Sequence, residues 1–320
     1  MSAGERSWDG ARVLVTGAHG FIGRHLVAGL EAAGADIIAA DRGGDADVKL
    51  DLRDAASIQA AIRSTQPAVV INLAAIADPR QAEADPMAAY DVNVLGQLRV
   101  ILALRELAPE ARLIVVGSAL QYGRDAWERP IREDDPPRPE GVYAVTKAAA
   151  DLQAAQHHRS DGLDIVRLRL FNVIGPGRPE EYFPAPQIRQ AAEILDHGAP
   201  PVIRTLSLRD TLDFVDVRDA ADAMQAVAMR GRAGAAYNVA SGLATPLRTV
   251  VDCLIEVAGI RADVDERLAS GAAEGRVAVG DPSLIARDTG WRVSRTLDDS
   301  LRDGLTEVRE RLASSVPIVA

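Results

Sequence analysis

Cysteine is nearly missing from this chain: Cys253, in the apolar run VVDCLIEVAGI, is the one cysteine among 320 residues. A lone cysteine forms no internal disulfide, and no cluster of ligating side chains surrounds it. It reads as a small core residue, and no metal site is expected. Positive charge is scarce too. The chain has 36 Lys and Arg against 46 Asp and Glu, a net charge of −10, and shows no basic stripe or tail of the kind that holds nucleic acid. A phosphorylated ligand must then be held by local donors rather than by the overall field. The opening MSAGERSWDGAR has no apolar secretory core. No run approaches the ~18 apolar residues that cross a membrane, and no repeat of fixed period is present. A cytoplasmic enzyme or binding protein is expected, with neither nucleic acid nor membrane as partner.

What the chain does have is alternation. At 48% apolar residues it can bury a sizeable core. ARVLVTG precedes a helical stretch over about 21–33, and ADIIAAD, VKLDLRD and a helix-like AASIQAAIRS follow. AVVINLAA precedes a long helical segment from about Pro86 to Leu107. RLIVVGS precedes a helix beginning near Val142, and LDIVRLRL closes the series. Strands alternating with helices predict a doubly wound, parallel α/β sheet. Seven such strands are expected between Ala11 and Leu170. EDDPPRPEG (133–141) reads as a surface loop. After Phe171 the texture changes: NVIGPGRPEEYFPAP is loop, and TLDFVDVRDAADAMQAVAM is one more strand–helix unit. The expected organisation is a large lobe over residues 1–171, a smaller lobe over 172–320, and a segment near 210–240 returning to the large one.

The turn VLVTGAHGFIG joins the first strand to the first helix, with Gly17, Gly20 and Gly23 spaced three apart. Glycines so placed permit a tight turn, close approach of a pyrophosphate and close helix–sheet packing, and the helix N-terminus offers N–H groups to phosphates. Dinucleotide binding is expected. Asp41 ends the second strand, where a carboxylate accepts from ribose hydroxyls and repels a 2′-phosphate, favouring NAD. Arg42 follows at once and would suit a 2′-phosphate, so NADP stays open. Asp51 in KLDLRD is within reach of an adenine edge, or caps the next helix.

Ser118, in LIVVGSALQYG, ends an apolar strand at the sheet edge where ligands bind. It either caps a turn or works in the site. Tyr143 lies 25 residues further on, and Lys147 shares its helix face four residues later. A tyrosine pKa near ~10 is too high for proton transfer at neutral pH, and a neighbouring ammonium lowers it. Tyr143 would then exchange a proton with a substrate oxygen that Ser118 holds. Lys147 would also bind the nicotinamide ribose, while hydride chemistry belongs to the cofactor.

With these pieces in order, the chain resembles the extended short-chain dehydrogenase/reductase family of nucleotide-sugar epimerases, 4,6-dehydratases and 4-keto reductases. The matching stretches are TGAHGFIG, DLRD, NLAA, NVLG, GSALQYG, YAVTK, LRLFNVIGPG, DFVDVRDAADAM, YNVASG and GDPSLIARDTGW. The middle and end look like the group that reduces GDP-4-keto-6-deoxy-D-mannose. The resemblance implies a Rossmann-like lobe, a substrate lobe, and a homodimer built from helices near Asn93 and Tyr143. It implies that Asn93 supports the lysine geometry and that Asn172 touches the sugar or first phosphate. The expected cofactor site also takes in Phe21, Ile22, Leu52, Leu73, Ala74, Ala75, Asn93 and Val173.

Two departures stand out. Dehydratases carry Asp and Glu after the catalytic Ser or Thr, whereas this chain has Ala119 and Leu120. The family's diphosphate-gripping arginine is replaced by Leu212, and a second one expected near Gly271 is missing. Arg209, or else Arg204 or Arg276, is the expected substitute. The leading expectation is a 4-keto reductase acting on a nucleotide-linked hexose. A 4-epimerase, a dehydrogenase of a non-nucleotide carbonyl compound and a non-catalytic dinucleotide sensor are the alternatives.

Overall fold

The computed structural model describes residues 7–123, 127–267 and 275–315. Its frame is a parallel sheet. Between Ala11 and Leu170 lie β1 (Arg12–Thr16), β2 (Asp36–Asp41), β3 (Val48–Lys49), β4 (Val69–Asn72), β5 (Arg112–Ser118) and β6 (Ile165–Leu170). Among the described residues that is six strands, not seven, which corrects the expected count. The sheet is nonetheless seven strands wide, in the order Ala236–Val239, β6, β5, β4, β1, β2, β3. The chain leaves the sheet after Phe171. The place beside β6 is filled only when Ala236–Val239 returns, setting Tyr237 opposite Leu168.

Helices cover both faces: α1 (Phe21–Ala32), α2 (Ala55–Thr65), α3 (Pro86–Leu107) and α4 (Val142–Asp161). Strands β4 and β5 are buried along nearly their whole length, as strands covered on both faces must be. On one face α1 packs with the returning helix Val217–Arg230, joining Leu26, Leu30, Val217, Ala220 and Met224 to Val13, Val15 and Val116. On the other, Ile58 and Ile62 of α2 meet Ile101 and Leu104 of α3. By length and composition alone, the 22-residue α3 would pass for a membrane span. Here its apolar residues Val100, Ile101 and Leu104 are buried in that core, and its middle, Asp91–Gly96, is a π-helical turn.

Asp54, not Asp51, caps α2, accepting from Ala56 N at 2.9 Å. A third core belongs to the smaller lobe, where helices Ala185–His197, Leu247–Ala258 and Leu297–Ser315 pack Ile188, Val250, Leu254 and Leu301 around Ile203 and Leu212.

The strand order reverses between β1 and β4, which opens a crevice at their carboxyl ends. Its base is stiffened by a buried chain of bonds. Thr16 Oγ1 donates to Asn72 Oδ1 at 2.5 Å, and Asn72 Nδ2 donates to Gln97 Oε1 at 2.8 Å, tying β1, β4 and α3 together.

Candidate active site

The glycine turn sits at the head of this crevice. Gly17 has φ +68°, and a Cβ there would lie 3.0 Å from Ala74 N. A Cβ on Gly23 would come within 2.2 Å of Gly17 O, so only glycine lets α1 start this close to β1. Gly20 precedes α1 and no side chain caps the helix. The first-turn N–H groups are therefore left to a ligand.

A cleft of about 480 Å³ runs over the turn. Gly17, Gly20, Phe21, Ile22 and Gly23 line it, as do Leu73, Ala74 and Ala75 after β4. On the β2 side it takes in Asp41, Arg42, Asp51 and Leu52, and on the β5 side Ser118, Tyr143, Lys147 and Val173. Asp41 Oδ1 accepts from Arg42 N at 2.7 Å. Asp51 pairs with Arg53, Oδ2 to Nη2 at 2.6 Å, and the bond to that guanidinium holds its carboxyl down at about 2. The arrangement fits a dinucleotide: amides for a diphosphate, carboxylates for a ribose and adenine edge, and proton-bearing groups at the far end.

At that far end Ser118 caps a turn and also lines the cleft. Its Oγ accepts from Leu120 N at 3.2 Å, capping the short turn Ala119–Tyr122. Ser118 and Tyr143 line the same end of the cleft. Burial pushes the Tyr143 phenol up to about 12, against the lowering expected from a neighbouring ammonium, with Ser118 acting in the other direction. Lys147 Nζ donates to Val116 O at 3.0 Å and lies 5.9 Å from the Tyr143 ring centre. Burial pushes its amine down to about 8, so it is still mainly charged at neutral pH. The three groups converge because Ser118 ends β5 and α4 begins at Val142, crossing the same sheet edge.

Asn93 does not line the cleft. Its Oδ1 accepts from Ile76 N at 2.8 Å, while Nδ2 donates to Ile76 O and to Thr146 Oγ1, each at 3.0 Å. It ties the segment after β4 to the residue preceding Lys147. Asn172 Nδ2 donates to Asp213 O at 2.9 Å, outside the lining. Leu212 is packed in the small-lobe core. Arg209 is not among the lining residues either; Arg276 pairs with Asp210 at 3.1 Å, and Arg204 reaches Asp265 at 4.0 Å. Gly271 lies outside the described residues.

Sequence reading passed over Arg178 and Tyr182, which also line the cleft. They sit in GRPEEY, where Pro and Gly read as loop punctuation. The available signal was a cation four residues after the strand Asn172–Ile174.

Residues 13–240 match the NAD dependent epimerase/dehydratase family. GDP-6-deoxy-D-mannose reductase of Pseudomonas aeruginosa is 29% identical over 314 residues, 94% of this chain and 98% of that protein. The solved structure of RMD from Pseudomonas aeruginosa complexed with NADPH is similar with a TM-score of 0.86 at 30% identity, over 94% of this chain and 99% of that one. UDP-glucose 4-epimerase of Thermus thermophilus complexed with NAD has a TM-score of 0.80 at 30% identity, over 93% and 99%. The family match reaches from the first strand of the sheet to the returning strand that completes it, so the chain belongs to the NAD dependent epimerase/dehydratase family, with NAD(P) as its cofactor.

Proposed function

We propose that the protein is an NAD(P)-linked reductase of a 4-keto group on a nucleotide-linked hexose, with Ser118, Tyr143 and Lys147 as its catalytic residues. The observation that carries this reading is the convergence of Ser118, Tyr143 and Lys147 at one end of a cleft whose other end suits a dinucleotide. The bound nicotinamide supplies the hydride. Ser118 Oγ donates to the substrate carbonyl oxygen and fixes its orientation. Tyr143 Oη passes its proton to that oxygen as the alcohol forms. The Lys147 ammonium stabilises the phenolate left behind. Its bond to Val116 O keeps the charge in place.

Removal of water from the sugar is not part of this activity. Among the described lining residues the only carboxylates are Asp41 and Asp51, on the β2 side, and Ala119 and Leu120 move no proton. A homodimer fits the surface: Met87 and Leu95 of α3 and Leu152 of α4 are 80, 46 and 58% exposed, on the helices expected to pair. The likeness to a UDP-glucose 4-epimerase supports one rival, a 4-epimerase using the same three residues.

The test incubates the protein with NADH and with NADPH and a panel of nucleoside-diphosphate 4-keto-6-deoxyhexoses, following coenzyme oxidation and product mass. Stoichiometric formation of the alcohol supports the reading. Turnover confined to carbonyl compounds without a nucleotide would overturn it. Tightly retained NAD⁺ with interconversion of saturated nucleotide sugars would move the assignment to the epimerase. Loss of water from a nucleotide hexose at a catalytic rate would refute the exclusion of dehydration.

A further inference from the structure

The loop after strand Asn172–Ile174 lies against the first turns of α1. His25 Nε2 is 3.0 Å from Pro176 O, and Arg24 Nη2 donates to the same oxygen at 3.5 Å. This contact brings Arg178 to the glycine turn. Its guanidinium carbon lies 5.8 Å from the ring centre of Phe21, the first residue of α1, and 5.3 Å from that of Tyr182. Contact with two rings and two carbonyls fixes the plane of the group: Nε donates to Phe183 O at 2.9 Å, and Nη1 donates to Val173 O.

Those bonds use two of the five N–H groups an arginine carries. Among the described residues no carboxylate lies within ion-pair distance of Arg178, and its Nη2 donates to no protein atom. Its neighbours differ. Arg24 reaches Glu307 at 3.8 Å, Arg80 pairs with Asp78 at 3.1 Å, and Glu180, two residues away, is shared by Arg189 and Arg311. Burial pushes the Arg178 guanidinium down to about 10, so it stays charged at neutral pH, half-buried at the cleft and, among the described residues, without a carboxylate partner. A desolvated cation facing a ligand cleft favours an anion there, and a fixed guanidinium matches the oxygens of a phosphate. In a chain of net charge −10 that grip has to come from such a local donor.

We propose that Arg178 grips a phosphate group of a nucleotide bound in the cleft, closing from the small lobe the diphosphate site that the α1 amides open from the large lobe. Two ligands carry that chemistry: the dinucleotide, and a nucleotide sugar, the second resting on the function proposed above.

The test is calorimetry of wild type, Arg178→Gln and Arg178→Lys. The ligands are NADH, adenosine, and UDP, GDP and dTDP, the last three with NADH saturating. Loss of a charge-assisted bond weakens the phosphate ligand about tenfold to a hundredfold in Arg178→Gln. Affinity recovers in part in Arg178→Lys, and adenosine binding is unchanged. A loss for NADH assigns the grip to the dinucleotide; a loss for the nucleoside diphosphates alone assigns it to the substrate. Unchanged affinity for both, or equal weakening of adenosine, overturns the proposal. If wild type binds no nucleoside diphosphate, the nucleotide-sugar reading fails while the NADH comparison still decides the role of Arg178.

Discussion

Replacing Lys147 by Met should make the ligand-free protein more stable while disabling it. In the unfolded chain the lysine amine titrates near 10.5, and in the cleft burial lowers it to about 8. A lowered lysine pKa means that the charged form is disfavoured by folding. The penalty is fully present below about pH 8 and disappears as pH rises towards 10.5. At 1.36 kcal/mol per pH unit the gap corresponds to about 3 kcal/mol at most. Losing the bond from Nζ to Val116 O returns about 1 kcal/mol, and partial opening of the amine to the cleft reduces the penalty further. Lys147→Met is thus expected to gain about 1–2 kcal/mol at pH 7 and much less at pH 9.5. The assay is urea unfolding of wild type and variant, without cofactor, at both values, followed by circular dichroism. A variant less stable than wild type at pH 7, or a difference that fails to shrink at pH 9.5, would refute the reasoning.

Tyr143→Phe keeps the ring and removes the proton donor, so turnover should fall by roughly 10²–10⁴ while NADH affinity holds; near-normal turnover would take Tyr143 out of the mechanism. Asp41 in the cleft favours NADH over NADPH, to be read as a ratio of dissociation constants, and equal or tighter NADPH binding would show that Arg42 outweighs it. Gly23→Ala would set a methyl 2.2 Å from Gly17 O. Because that neighbour is backbone, the variant should lose cofactor binding and melt earlier; an unchanged melting temperature would show that the turn can shift.

The alternation of apolar runs made the sheet legible because strands covered on both faces need continuous apolar sequence, as in LIVV of β5. The strand that completes the sheet was not among those counted: Ala236–Val239, inside the 210–240 segment expected to return, is only four residues long, and its partner is the open edge of β6. The corner of the cleft that holds Ser118 and Tyr143 was legible because each stands where a strand ends or a helix begins, which local pattern reveals. The place of Arg178 was not. Arg209 is near Leu212 in sequence, but loop geometry decides where a guanidinium points. Arg178 reaches the cleft through its packing on Phe21, a residue 157 positions earlier. Asp51 kept two readings, cap or cleft, for a related reason: like Asp54 it is an acid near the start of α2, and only backbone direction tells a cap from a residue facing the cleft.

The returning strand also sets an order of events during synthesis. Until residue 239 has left the ribosome, β6 is an open edge and α1 lacks the helix Val217–Arg230 that covers its apolar side. Trp291, whose indole Nε1 donates to Asp219 O at 3.0 Å in the same core, arrives later still. The nucleotide-binding half therefore starts first and finishes late, with a bare strand edge exposed while much of the small lobe is made. A nascent chain stalled near residue 171 would be a strong candidate for chaperone capture, whereas one released past Trp291 would carry everything its large core needs to close.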